Sequence, residues 1–212
     1  MAVRAESESP SAPERILEAA CDLIAAEGID EVRIARVAMK AGASTALVHH
    51  YFSTREELLE QALIHSFEQA GDERFQKPAG VEETAAQALA RAIGECLPLP
   101  GQQEREWVLW VELWLRAVRE PELRPVAARL YQRYREWIAG LIRAGLESGE
   151  FLKGLEVEAV ADVAMALLDG AGVRALIRDP AMDIEAARAL VAKRLAAELG
   201  VASGLLASQP EQ

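Results

Sequence analysis

No proline occurs between Pro13 and Pro78, and along the whole chain β-branched residues almost never alternate with polar ones. Proline breaks helix interiors and alternation marks half-buried strands, so a stretch lacking both has little to become except helix. Ala, Leu, Glu and Arg dominate, and these side chains lose little freedom in a helix. The fold class expected is all-α, with no strand. Pro10, Pro98, Pro100, Pro121, Pro125 and Pro180 punctuate the rest and divide the chain into about nine helices.

The breaks fix the expected spans. Helix 1 begins after Ser11, which with Glu14 has capping-box spacing, and stops before Gly28. Helix 2 covers 34–40, the turn is Ala41-Gly42-Ala43, and helix 3 covers 44–51. Ser53 and Glu56 repeat the capping-box spacing at the start of helix 4. Further helices are expected at 81–97, 103–118, 122–147, 156–178 and 183–199. The organisation expected is a disordered arm (1–10), a helix-turn-helix head (11–60), a helical body (61–202) and a disordered tail (203–212).

Charge singles out one part of this plan. The chain holds 34 Asp and Glu against 23 Lys and Arg, a formal charge of -11, and should repel a polyanion over most of its surface. Residues 33–54 contain no carboxylate, and this stretch with its flank carries Arg33, Arg36, Lys40 and Arg55. A helix-turn-helix needs a small residue where its helices meet and a Gly where the backbone turns, and Ala38 and Gly42 fit those places. Ser44 and Thr45 would then open a recognition helix whose first turn reaches base edges, with His49 and His50 also facing out.

The run RIARVAMKAGASTALVHHYFSTREELL, from Arg33 to Leu59, resembles the DNA-binding signature of the TetR family of transcriptional regulators. Val37-Ala38, Ala41 to Ser44, Tyr51-Phe52 and Arg55 carry the match. The resemblance implies an N-terminal three-helix head and a helical ligand-binding body. It also implies that Thr45 and its neighbours touch bases or adjacent phosphates, and that Tyr51 and Arg55 hold phosphates. Three positions depart from the pattern: Arg33 stands where a Thr or Ser cap is usual, Ala46 replaces a common Gly, and His49 replaces a common Tyr.

In the body, Trp107, Trp110 and Trp114 share one helical face, and Tyr131, Tyr134 and Trp137 follow on the next helix. Two readings fit. Such rings fill cores between packed helices, and they also form effector pockets. A pocket built of Trp107, Trp110, Trp114, Tyr134 and Trp137 with a carboxylate from Glu112 or Asp169 would suit a cationic or amphipathic ligand. The segments ASTALVHHYFSTREELLEQAL and WVLWVELWLRA are similar to the branch of the family that includes choline- and betaine-pathway repressors.

The last two expected helices carry apolar faces, Val160, Ala164, Leu167 and Leu168 on one and Ala187, Leu190, Val191 and Leu195 on the other. They either cover the monomer core or pair with a second copy as a four-helix bundle. The partners expected are a double-stranded DNA operator, a second copy and a small-molecule effector, with no membrane. The expected function is a ligand-responsive repressor of a palindromic operator; a helical interaction module without operator binding is the alternative.

An enzyme is not expected. His49 and His50 point about 100° apart on a helix and do not chelate one metal together, His65 has no evident partner, and no phosphate loop or nucleophile motif is present. No catalytic residue, metal site or cofactor is expected. Cys21 and Cys96 read as buried free thiols, and the compartment expected, with no long apolar run and no secretory leader read, is the cytoplasm.

Overall fold

The computed structural model describes residues 10–76 and 82–207. Among them are ten α-helices and no strand, and the chain divides into two compact units between Phe67 and Glu68.

The first unit holds α1 (Ala12–Glu27), a 3-10 turn (Ile29–Glu31), α2 (Ile34–Ala41), α3 (Thr45–Tyr51) and most of α4 (Arg55–Phe75). The Ser11 hydroxyl accepts from the Glu14 amide while the Glu14 carboxylate accepts from the Ser11 amide, so both halves of the capping box form. Ile16, Ala20 and Ile24 of α1 are fully buried with Val37 of α2, Val48 of α3, and Leu58 and Leu63 of α4. Each of these Ile, Val and Leu side chains contributes roughly 1.5–3 kcal/mol by leaving water, which gives two-turn helices a stability they lack alone. The Cys21 thiol donates to the Ala62 carbonyl at 3.0 Å. Neither cysteine is in a disulfide.

One expected cap is displaced by a residue. Thr54, not Ser53, accepts from an amide of the first turn of α4, that of Glu57. The Glu57 carboxylate in turn accepts from the Ser53 amide. Neighbouring Ser and Thr offer equivalent hydroxyls, and spacing alone does not choose between them.

The second unit adds α5 (Ala85–Glu95), α6 (Gln102–Arg119), a 3-10 turn (Pro121–Leu123), α7 (Arg124–Ser148), α8 (Val157–Leu176), α9 (Ile184–Leu199) and α10 (Ser203–Ala207). The helix expected to start at 81 starts at Ala85, where Thr84 and Gln87 form a second capping box; the expected first residue lies outside the described segment. Leu89 and Ile93 of α5, Ile138 and Ile142 of α7, and Val191 and Leu195 of α9 form an apolar centre closed by α8.

The expected disordered tail is corrected in part. Residues 203–207 form α10, and Leu206 is 1% exposed within the same core. A five-residue helix has no stability of its own, so one buried Leu accounts for its order. The expected disordered arm at 1–9 and the end at 208–212 lie outside the described residues.

Candidate nucleic-acid surface and effector cavity

In the first unit the turn between α2 and α3 is made by Gly42 in the left-handed region (φ 64°), where the Ala43 amide reaches back to the Ala38 carbonyl at 2.9 Å. Ser44 caps α3, its hydroxyl accepting from the Leu47 amide at 3.1 Å. That bond commits the Ser44 side chain to the helix start and leaves Thr45, Ala46, His49 and His50 exposed. Tyr51 is exposed too, its ring edge-on to His50 at 5.0 Å.

The four cations of the acid-free stretch are all engaged. Arg36 forms a two-point ion pair with Glu27 of α1, which lowers the Glu27 carboxyl below its ordinary range. Lys40 pairs with Asp22 at 2.9 Å, and Arg33 donates to the Asp30 carbonyl at 2.7 Å without capping α2. Arg55 is the most committed. Its Nε donates to the Val32 carbonyl and its Nη2 to the Ile29 and Asp30 carbonyls, while Nη1 lies 3.5 Å from Glu56. Arg55, one of the two residues to which the resemblance gave a phosphate contact, thus braces the 3-10 turn.

The second unit contains a cavity walled by aromatic rings. Trp107, Trp110 and Trp114 of α6 meet Tyr131 and Tyr134 of α7, Met165, Leu168 and Asp169 of α8 close one side, and Arg74, Glu95, Cys96 and Glu106 supply most of the remaining polar wall. Trp110 lies 5.4 Å from the Tyr131 ring and 5.9 Å from that of Tyr134, and Trp114 stacks on Tyr131 at 6.2 Å. The Trp107 indole N–H donates to the Cys96 carbonyl at 3.2 Å, which fixes its ring. The space left is small, about 40 Å³, room for roughly three waters.

Two tyrosine hydroxyls, one helical turn apart, mark two polar ends. Tyr131 donates to Asp169 at 2.8 Å. Burial raises both groups, Asp169 above the ordinary aspartate value and Tyr131 above the ordinary phenol. Tyr134 accepts from Arg74 at 3.1 Å, and burial pushes its hydroxyl up to about 12. Arg74 is also ion-paired to Glu106, one of three buried polar side chains of the described chain. Burial opposes the Arg74 charge, yet Tyr134, Glu106 and Cys96 together hold the guanidinium above its ordinary range.

Of the residues expected at an effector site, the structure brings Trp107, Trp110, Trp114, Tyr134 and Asp169 to one cavity. Glu112 and Trp137 are not among its lining residues. Trp137 instead packs on Phe75 at 5.1 Å and lines a separate open groove, because it is turned about 120° around α7 from Tyr131. Arg74, Glu95 and Glu106 were not anticipated. Glu106 had a signal: it lies four residues before Trp110, a lone acid on an apolar face. Arg74 had none.

Comparison with known proteins agrees at both units. Residues 16–62 match the model described as bacterial regulatory proteins, tetR family, and residues 85–200 match the BetI-type transcriptional repressor, C-terminal. The fatty acid metabolism regulator protein of Bacillus subtilis (strain 168) is 26% identical over 81% of this chain and 87% of its own length. The regulator BetI of Rhizobium meliloti (strain 1021) is 28% identical over 82% and 83%. Among solved structures, a transcriptional regulator from Saccharomonospora viridis in complex with choline has a TM-score of 0.76 at 29% identity, covering 86% of this chain and 94% of that one. A TetR-family regulator from Rhodococcus sp. has a TM-score of 0.75 at 28% identity, covering 89% and 98%. The N-terminal helix-turn-helix and the helical body with its BetI-type match place this chain in the tetR family of bacterial transcriptional regulators.

Proposed function

We propose that the protein is a dimeric repressor that binds a palindromic operator and is released by a small organic cation held in the aromatic cavity. The observation that carries the effector reading is Asp169: a carboxylate at a wall of tryptophan and tyrosine rings, bonded to Tyr131 and with no basic partner among the described residues. Ring faces and a carboxylate attract a methylated ammonium by cation–π and Coulomb terms, and a desolvated site strengthens both.

The solved relative holding choline supports this reading.

The exposed first turn of α3 supports operator reading by Thr45, with Ser44 fixing that turn and His49, His50 and Tyr51 beside it. Arg33, Arg36 and Lys40 supply phosphate contacts, and Arg55 holds the head in shape for them. Leu190 of α9 is 42% exposed and Ile177, just past the end of α8, is 68% exposed; pairing these helices across a two-fold axis would cover this surface and space two recognition helices about one DNA turn, ~34 Å, apart. Ligand binding favours a body conformation in which α4 swings and the heads no longer match successive major grooves, so effector and operator binding are reciprocally coupled. Such a protein works in the cytoplasm, with the chromosome.

Selection of genomic fragments by the purified protein, with and without choline, tests the reading. An enriched inverted repeat that choline releases supports it. Failure to enrich any inverted repeat in dilute buffer favours an interaction module that keeps this fold without operator binding.

A further inference from the structure

The cavity has more acid than one cation needs. Glu95, Glu106 and Asp169 line it, against a single lining base, Arg74. All four act electrostatically on the Cys96 thiol, so they surround one small volume. Glu95 is bonded from outside the lining by Arg91, which leaves Glu106 and Asp169 as the two carboxylates facing the aromatic wall.

These two are treated differently by the fold. Among the described residues Asp169 receives the neutral Tyr131 hydroxyl alone, at the end of the cavity where Trp114 stacks on that ring. Glu106 receives the Arg74 guanidinium, which is itself steadied by Tyr134, one turn of α7 further on. Trp110 packs against both tyrosines and spans the interval between the two ends. Along one wall the order is therefore carboxylate, ring, carboxylate, with the second carboxylate already neutralised by a side chain.

We infer that Arg74 is a specificity-determining residue: it occupies the second cation position of the cavity from within, so that the site accepts an effector carrying one positive charge and rejects an α,ω-diamine of similar size. This rests on the cation reading of the cavity given above and adds the charge number of the effector. A buried carboxylate already paired to a fixed guanidinium offers a second ammonium no net attraction. The same ammonium would have to be desolvated beside Arg74, a like charge.

The test is calorimetric titration of the full chain with choline, tetramethylammonium and putrescine, the last being a dication of about choline's length. The unmodified protein should bind the two monocations at least about tenfold more tightly than putrescine, a difference of about 1.4 kcal/mol. In Arg74→Met the Glu106 carboxylate is freed, and putrescine should gain at least that factor over the monocations. Arg74→Met combined with Glu106→Gln should lose the gain. If Arg74→Met does not fold, Glu106→Gln alone serves: an unpaired guanidinium in the wall should lower monocation affinity.

Putrescine binding as tight as choline in the unmodified protein overturns the inference while leaving the cation site standing. So does Arg74→Met without a shift in the ratio, or Glu106→Gln with unchanged monocation affinity. Absence of binding by every cation removes both the site and the inference.

Discussion

Gly172 of α8 lies directly under the indole of Trp107: a Cβ placed on Gly172 would stand 2.3 Å from two atoms of the six-membered ring. No side chain fits at that distance, so the ring's position depends on the missing methyl. Gly172→Ala should tilt Trp107 away from the Cys96 carbonyl it bonds and cost about 1–3 kcal/mol of stability by overpacking. Urea unfolding reads the loss, and choline titration of the same variant should show weakened binding. An unchanged midpoint would mean that the two helices part without strain.

Acid should weaken the effector site. Asp169 is raised chiefly by burial, so the folded protein holds its proton to higher pH than the unfolded chain does. Its contribution to stability is therefore full below the ordinary aspartate value and is lost as pH rises through the raised one. A bound cation reverses the balance by favouring the carboxylate. Choline affinity should accordingly rise with pH through the raised Asp169 value, and Asp169→Asn should bind weakly and lose that dependence. A pH profile that survives the substitution assigns the effect elsewhere.

The head should bind DNA more tightly when its internal acids are removed. Glu27 and Asp22 hold Arg36 and Lys40, and phosphate must displace them. Glu27→Gln together with Asp22→Asn should raise affinity for any duplex and steepen its logarithmic salt dependence by roughly 0.9 for each added phosphate contact. Fluorescence anisotropy over a salt series measures both.

Arg55→Ala should act differently. Its guanidinium bonds three backbone carbonyls around the 3-10 turn, so its loss should destabilise the head by about 1–3 kcal/mol and leave the salt slope unchanged. Thr45→Ala, at an exposed position, should leave stability alone and reduce operator affinity. A salt slope reduced by about one in Arg55→Ala would instead assign Arg55 a phosphate contact.

At the C-terminal end, Leu206→Ala should cost about 2–4 kcal/mol for a residue so deeply buried. Removing residues 203–212 should cost at least as much. Thermal unfolding decides, and a neutral result would return α10 to the status of a loose end.

Much of the fold was legible in local pattern. The Ser11 and Glu14 caps, the stop at Gly28, the Gly42 turn and the spans of α6 to α9 are written in residues a few positions apart, and their physics is equally local. Ser44, Thr45, His49 and His50 were legible as an outward surface for the same reason, while Tyr51 was named only by the resemblance. What sequence spacing did not decide were relations across long separations. Arg74 to Glu106, Tyr131 to Asp169, Gly172 to Trp107 and Leu206 to the core of α5, α7, α8 and α9 each join elements whose approach depends on how whole helices pack. Helical periodicity told which residues share a face, and so the chain by itself determined an all-helical regulator with an acid-free turn and a tryptophan-rich body. Only the tertiary structure decided which charges those faces meet, because a buried ion pair or a ring against a glycine exists by virtue of the packing that brings its halves together.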